Sequence, residues 1–200
     1  MQNIIELFHT QIYKKTLSID NVKIYKCIKK LEREYKALAK ETNHGAMVNS
    51  LTYTNALPTI NTLPDMQELV EKATEHAKIF WNELGYSKTP FNGRMDIMWF
   101  NTFKKGGYVG MHNHSPAPLV GAYYLNKTDS GSNLNFLNPN EMLLKTQPFG
   151  HKGYDEFTFF EKEVEVYSGD LVLFPGYLKH RSSPVSDNSK RITIAFNFML

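Results

Sequence analysis

The sequence predicts an α+β protein, an antiparallel β-sandwich or jelly roll buttressed on one face by N-terminal helices. Three observations predict it. Helical periodicity marks the first part of the chain, about residues 1–90. From about residue 94, short segments rich in β-branched and aromatic residues replace it. The last of these, 191–198, alternates apolar and polar residues with the period of a half-buried strand. At 200 residues the chain has room for one compact domain spanning 1–200, with a helical part and a jelly-roll core over about 94–200.

Residues 18–41 read as a helix because Ile24, Ile28, Leu31, Tyr35 and Leu38 recur at helical spacing, with Ser18 or Asp20 as the cap. The lysines between Lys23 and Lys40 then form its solvated face, and Cys27 is a small core residue. A second helix is expected over 63–84, where Leu69, Val70, Ala73, Ala77, Phe80, Trp81 and Leu84 share a side. Thr62 suits its cap, Pro64 its first turn and Gly85 its end. His76 lies beside that stripe as a partly buried structural residue.

Strands are expected over 94–103, 119–126, 133–137, 163–167, 170–174 and 191–198. Gly106-Gly107, Asp129-Ser130-Gly131 and Ser168-Gly169-Asp170 read as the turns between them. Residues 138–162 have weak periodicity and read as a long insertion, a candidate lid. In the final strand Ile192, Ile194, Phe196 and Phe198 form the apolar face, and Arg191, Thr193, Ala195 and Asn197 the other. If helices cover the apolar face, the polar face looks into the barrel. Arg191 then needs an anion to balance its buried charge.

Composition excludes little. A net charge of +3 is weak grounds for a nucleic-acid partner, and one cysteine forbids an intrachain disulfide. There is no basic leader, and no apolar run approaches a membrane span, so a cytoplasmic protein without membrane association is expected. Oligomeric state is not legible.

The chemistry lies in His112-Asn113-His114, then His180 after Pro175-Gly176-Tyr177-Leu178-Lys179, then Arg191-Ile192-Thr193. Histidines at i and i+2 of an extended segment project from one side. Imidazole suits Fe, Zn, Cu and Ni alike, so the histidines do not name a metal. The order of ligand pair, distal histidine and arginine suits a mononuclear iron site that also holds a dicarboxylate. His9, His44 and His151 lack such partners and read as turn or surface residues. Trp99, Tyr108, Tyr123 and Tyr177 are either pocket lining or core.

This set resembles the Fe(II)/2-oxoglutarate-dependent oxygenases, and more closely a family of such oxygenases found in bacteria and their phages. The motifs are Trp99-Phe100-Asn101, His112-Asn113-His114, Gly121-Ala122-Tyr123-Tyr124-Leu125, Phe174-Pro175 to His180, and Arg191 to Phe198. The start, Leu7-Phe8-His9-Thr10-Gln11-Ile12-Tyr13, looks similar too. Gly107-Tyr108-Val109 and Tyr123-Tyr124-Leu125-Asn126 add a looser likeness to prolyl hydroxylases. The resemblance implies a double-stranded β-helix that binds Fe(II) and 2-oxoglutarate and uses O2. It implies His112 and His180 as metal ligands and Arg191 as the salt-bridge partner of the C5 carboxylate. Thr193, Tyr124 and Asn101 add polar contacts to the cosubstrate. The implied outcome is decarboxylation to succinate and CO2 with hydroxylation of a substrate the sequence does not identify.

One position departs from the pattern. Most of these oxygenases carry Asp or Glu where this chain has His114. His114 either ligates iron directly, which is the expectation, or sits behind a water. Two other classes fit the residues: a three-histidine dioxygenase or hydrolase that does not use 2-oxoglutarate, and a non-catalytic jelly-roll binding module. A nucleic-acid demethylase of the AlkB kind has little support, because Ile192-Thr193-Ile194-Ala195-Phe196-Asn197 lacks its second arginine.

Overall fold

The computed structural model describes residues 9–35, 40–42, 47–53, 60–128, 131–140, 142, 146 and 160–200. Among these, two antiparallel sheets build the jelly roll. The larger runs in the order β1 (Tyr13–Thr16), β8 (Asp170–Pro175), β5 (Leu119–Asn126), β10 (Arg191–Met199), β4 (Arg94–Val109), β3 (Met47–Tyr53), β2 (Lys40–Thr42). The smaller is β7 (Glu161–Val164), β6 (Leu134–Leu137), β9 (His180–Ser182).

Helices α1 (Asn21–Glu34) and α2 (Gln67–Trp81) cover the outer face of the larger sheet. Ile24, Ile28 and Leu31 of α1 and Leu69, Ala73, Ala77 and Phe80 of α2 pack there with Ile192, Ile194, Phe196 and Phe198 of β10. The expected division of β10 therefore holds. Strand β8 is buried on both faces, which explains its unbroken apolar run: Leu171 and Leu173 face the helices, Val172 and Phe174 the barrel interior. Close packing also accounts for Gly121, since a Cβ there would lie 2.0 Å from the Phe196 ring.

Several elements differ from expectation. Helix α1 starts after Asp20, whose carboxylate accepts the Lys23 N–H at 2.9 Å; Ser18 plays no capping part. It ends at Glu34, and Lys40 and Glu41 pair with β3 instead, so strand pairing overrides their helical propensity. Leu38 lies outside the described residues. The second helix is preceded by a 3-10 turn, Pro64–Met66, and Leu63 rather than Thr62 occupies its capping position. It ends in a π turn, Asn82–Tyr86, where Gly85 adopts φ 89°.

Gly106-Gly107 is not a turn between strands. Both lie within β4, where the register with β3 jumps from Val48↔Tyr108 to Ser50↔Phe103. Gly106 takes φ 76°, and a bulge of this kind bends a strand without ending it. Bonds from Gly106 N to Val185 O and from Val185 N to Gly107 O tie the bend down. Strand β7 begins at Glu161 rather than 163, in register with Leu134–Leu137. Strands β1, β2, β3 and β9 were not expected. The candidate lid over 138–162 falls largely outside the described residues, as do His44 and His151.

Candidate functional site

Register across three strands lays out the floor of a cavity of about 290 Å³ between the sheets. Residues directly opposite one another share a face of a sheet. On β10, Thr193 lies between Tyr124 and Asn101, Ala195 between Ala122 and Trp99, and Asn197 between Val120 and Ile97. Arg191 opposes Phe103 one row further along. Tyr124, Thr193, Asn101, Ala195, Trp99, Arg191 and Phe103 all line the cavity.

At one end stand the three histidines. His112 and His180 exchange backbone hydrogen bonds of 3.0 and 2.9 Å, which fixes the two histidine segments side by side. The His114 N–H donates to Gly176 O at 2.9 Å. Gly176 permits this close approach, because a Cβ there would lie 1.9 Å from Ala117 O. The Nδ1 of His112 lies 2.8 Å from Gly110 O, and that of His180 lies 3.0 Å from Leu178 O. A carbonyl only accepts, so each Nδ1 carries the hydrogen and each Nε2 presents its lone pair.

One ring nitrogen from each of His112, His114 and His180 lies within 4.8 Å of the others, a group that could hold a metal ion. The Nε2 atoms of His112 and His114 are 3.1 Å apart. Metal–nitrogen bonds of about 2.1 Å at right angles put two ligands about 3 Å apart, so this spacing suits one shared ion. Trp99 stacks on the His114 ring at 5.6 Å, and Phe174 meets His180 edge-on at 4.5 Å. Burial, aided by the neighbouring His112, pushes His180 down to about 3 and His114 to about 4. Burial also lowers His112. All three are neutral near pH 7, the state in which imidazole binds a metal.

The other end is cationic. Arg191 is buried, its guanidinium 4.2 Å from the Phe103 ring centre. Its Nη1 donates to Ser132 O at 3.0 Å and to Ser183 O at 3.2 Å, and its Nη2 donates to Ser182 Oγ at 2.8 Å. These bonds fix the guanidinium plane. Burial pushes the Tyr124 phenol up to about 12, so it remains a hydrogen-bond donor. Among the described residues the buried Asn101 Oδ1 has no hydrogen-bond partner, a costly state that a bound donor would relieve.

All seven site residues expected from the sequence meet in this cavity: His112, His114, His180, Arg191, Thr193, Tyr124 and Asn101. Of the four aromatics, only Trp99 lines it. Tyr123 faces the helices and hydrogen-bonds Asn21, as alternation with Tyr124 requires. Tyr177 is exposed, and Tyr108 stands outside the lining. His76 is held by the Tyr13 hydroxyl at 2.8 Å, in keeping with a structural role. Phe103 and Ser182 are additions. Ser182 had a signal available, since it stands two residues beyond His180 and on a strand must share its face.

Residues 97–197 match the family described as "Putative 2OG-Fe(II) oxygenase". The chain belongs to that family and is an oxidoreductase whose cofactors are Fe(II) and 2-oxoglutarate. No curated relative matches it. Among solved structures it is similar to a Pseudomonas putida prolyl-4-hydroxylase, at TM-score 0.59 and 12% identity, covering 96% of this chain and 94% of that one. The α-ketoglutarate-dependent epimerase SnoN of nogalamycin biosynthesis gives TM-score 0.62 and 12% identity, with 95% and 78% covered. HygX from Streptomyces hygroscopicus, solved with nickel and 2-oxoglutarate, gives 0.56 and 14%, with 94% and 82% covered. At such identities the likeness is one of fold. Among the described residues, no helix is long and apolar enough to cross a membrane.

Proposed function

We propose that this chain is a hydroxylase in which His112, His114 and His180 hold Fe(II) directly, and Arg191 holds the far carboxylate of 2-oxoglutarate. One observation carries this reading: three neutral, convergent imidazoles and a buried guanidinium face the same cavity from opposite ends. Thr193, Tyr124 and Asn101 form one cross-strand row and add polar contacts to the cosubstrate. Residues 1–200 act as one domain, the helical part bracing the strand that carries Arg191. A cytoplasmic setting (the host's, for a phage-encoded protein) agrees with the single, buried, free Cys27.

Iron held with 2-oxoglutarate supplies oxidation by dioxygen, coupled to decarboxylation of the cosubstrate to succinate and CO2. The chain supplies position and electrostatics. The Gly110 and Leu178 carbonyls lock the tautomers of His112 and His180, so their Nε2 lone pairs need no reorganisation on metal binding. The Arg191 plane, fixed by three oxygens, presents charge-assisted donors to a carboxylate. Apolar walls of Val109, Val120, Leu134 and Phe174 exclude water between the two ends. With three neutral imidazoles as ligands, the charge of a bound iron would be balanced by the cosubstrate dianion rather than by the protein.

The test is an anaerobic Fe(II) titration with and without 2-oxoglutarate, following the visible metal-to-ligand charge-transfer band. The expected result is a band saturating at one equivalent. In Arg191→Ala, 2-oxoglutarate affinity should fall by about 100-fold or more while Fe(II) affinity stays within about twofold. Equal cosubstrate affinity in variant and parent would remove Arg191 from this role.

A further inference from the structure

We infer that the Ser182 hydroxyl is a further specificity-determining donor, giving its hydrogen to the far carboxylate of 2-oxoglutarate beside Arg191. The inference rests on the reading of Arg191 as the carboxylate anchor. Ser182 is buried on β9 and lines the cavity on the same side of the strand as His180. Its Oγ receives two hydrogen bonds, from Val109 N–H at 3.0 Å and from Arg191 Nη2 at 2.8 Å. Amide and guanidinium nitrogens only donate, so both lone pairs of the hydroxyl oxygen are occupied.

What remains on that oxygen is one O–H hydrogen. Its direction is set, because the carbon and two accepted bonds fill the other tetrahedral positions. Among the described residues, the Ser182 hydroxyl has no acceptor. A buried hydroxyl hydrogen without an acceptor is costly, and the cavity is where one can be supplied. The ligand group that best satisfies it is an anion already drawn to Arg191. Ser182 thus differs from Thr193, whose hydroxyl can rotate between donating and accepting. Ser182 can only donate, so it favours an oxygen that purely accepts, which a carboxylate offers and a protonated acid offers less well.

The experiment compares two 2-oxo acids on the Fe(II)-loaded protein without oxygen, reading the charge-transfer band. One is 2-oxoglutarate; the other is 2-oxopentanoate, with a methyl group in place of the far carboxylate. Ser182→Ala should weaken 2-oxoglutarate binding roughly 10- to 100-fold, the range for a hydrogen bond to a charged group. It should leave 2-oxopentanoate binding within about twofold. Equal loss for both acids, or no loss for either, overturns the role. A crystal structure of the parent with 2-oxoglutarate separates direct donation from mere support of Arg191. It should place Ser182 Oγ within about 3 Å of a far carboxylate oxygen. A distance beyond hydrogen-bonding range overturns the inference, including in the event that Ser182→Ala does not fold. Absence of the band in the parent protein would instead refute the cosubstrate reading itself.

Discussion

The two ends of the cavity hold their functional groups by different means. The imidazole end is assembled from loop and strand-edge residues held by backbone carbonyls: Gly110 O and Leu178 O on the rings, Gly176 O on the His114 amide. The guanidinium end grows from the middle of a sheet, where strand register alone aligns Tyr124, Thr193 and Asn101 beside Arg191. One end is neutral and titrates with burial; the other carries a fixed charge. On the proposed assignment, the difference makes metal affinity and cosubstrate affinity separable properties of this chain.

The largest expected effect breaks the imidazole end alone. His180→Ala removes one of the three proposed ligands and should lower Fe(II) affinity more than about 100-fold, beyond what losing a ligand's hydrogen-bond partner costs. Metal content after dialysis measures it, and a variant that retains one equivalent of iron would exclude His180 from the ligand set. The protein should still fold, because His180 Nδ1 bonds only a local carbonyl.

Acid distinguishes the ends next. The three imidazoles bind a proton more weakly in the folded chain than in the unfolded one. As pH falls below about 6.5 the unfolded chain takes up more protons, so stability falls. For His114 the loss continues to about pH 4, and for His180 to about 3. One such group costs up to about 1.4 kcal/mol per pH unit. The metal-free protein should melt at lower temperature at pH 5 than at pH 7, and iron loading should steepen the trend. A metal-free melting temperature that does not move would mean that the imidazoles are not buried as described. Arg191 cannot contribute, since it stays charged throughout.

The smallest effect sharpens the guanidinium end. Asn101→Ala deletes a buried amide in the cavity whose Nδ2 can donate to a carboxylate. It should raise the 2-oxoglutarate dissociation constant about fivefold, one hydrogen bond's worth, with Fe(II) affinity unchanged. Calorimetric titration reads both. A change in iron affinity would show that the two ends communicate through the sheet.

The ends also differ in how far the sequence discloses them. His112, His114 and His180 are identifiable by residue type, and their convergence follows from strand geometry plus one distal partner. Arg191 is legible because a charge sits on the inward face of an otherwise regular alternation. Ser182 carries a fainter signal, its two-residue spacing from His180, and Phe103 none, since its role depends on which strands become neighbours. Local pattern also misplaced Lys40 and Glu41, whose helical propensity yields to pairing with β3. Gly106-Gly107 looks like a turn in any short window, and only the β3 partner reveals a bulge. Strand β1 was hidden for the same reason: Tyr-Lys-Lys-Thr has little strand character apart from the edge it covers.

That covering strand has a consequence for solubility. Strand β8 is apolar on both faces and pairs with β5 on one side and β1 on the other. Without β1, its free N–H and C=O groups would form an open template for strands of other molecules. As built, that sheet edge ends in a four-residue strand bearing Lys14 and Lys15, both exposed at the surface. Short length and positive charge are what natural sheets use against end-to-end association. A short N-terminal segment remote from the histidines in sequence thus guards one edge of the larger sheet.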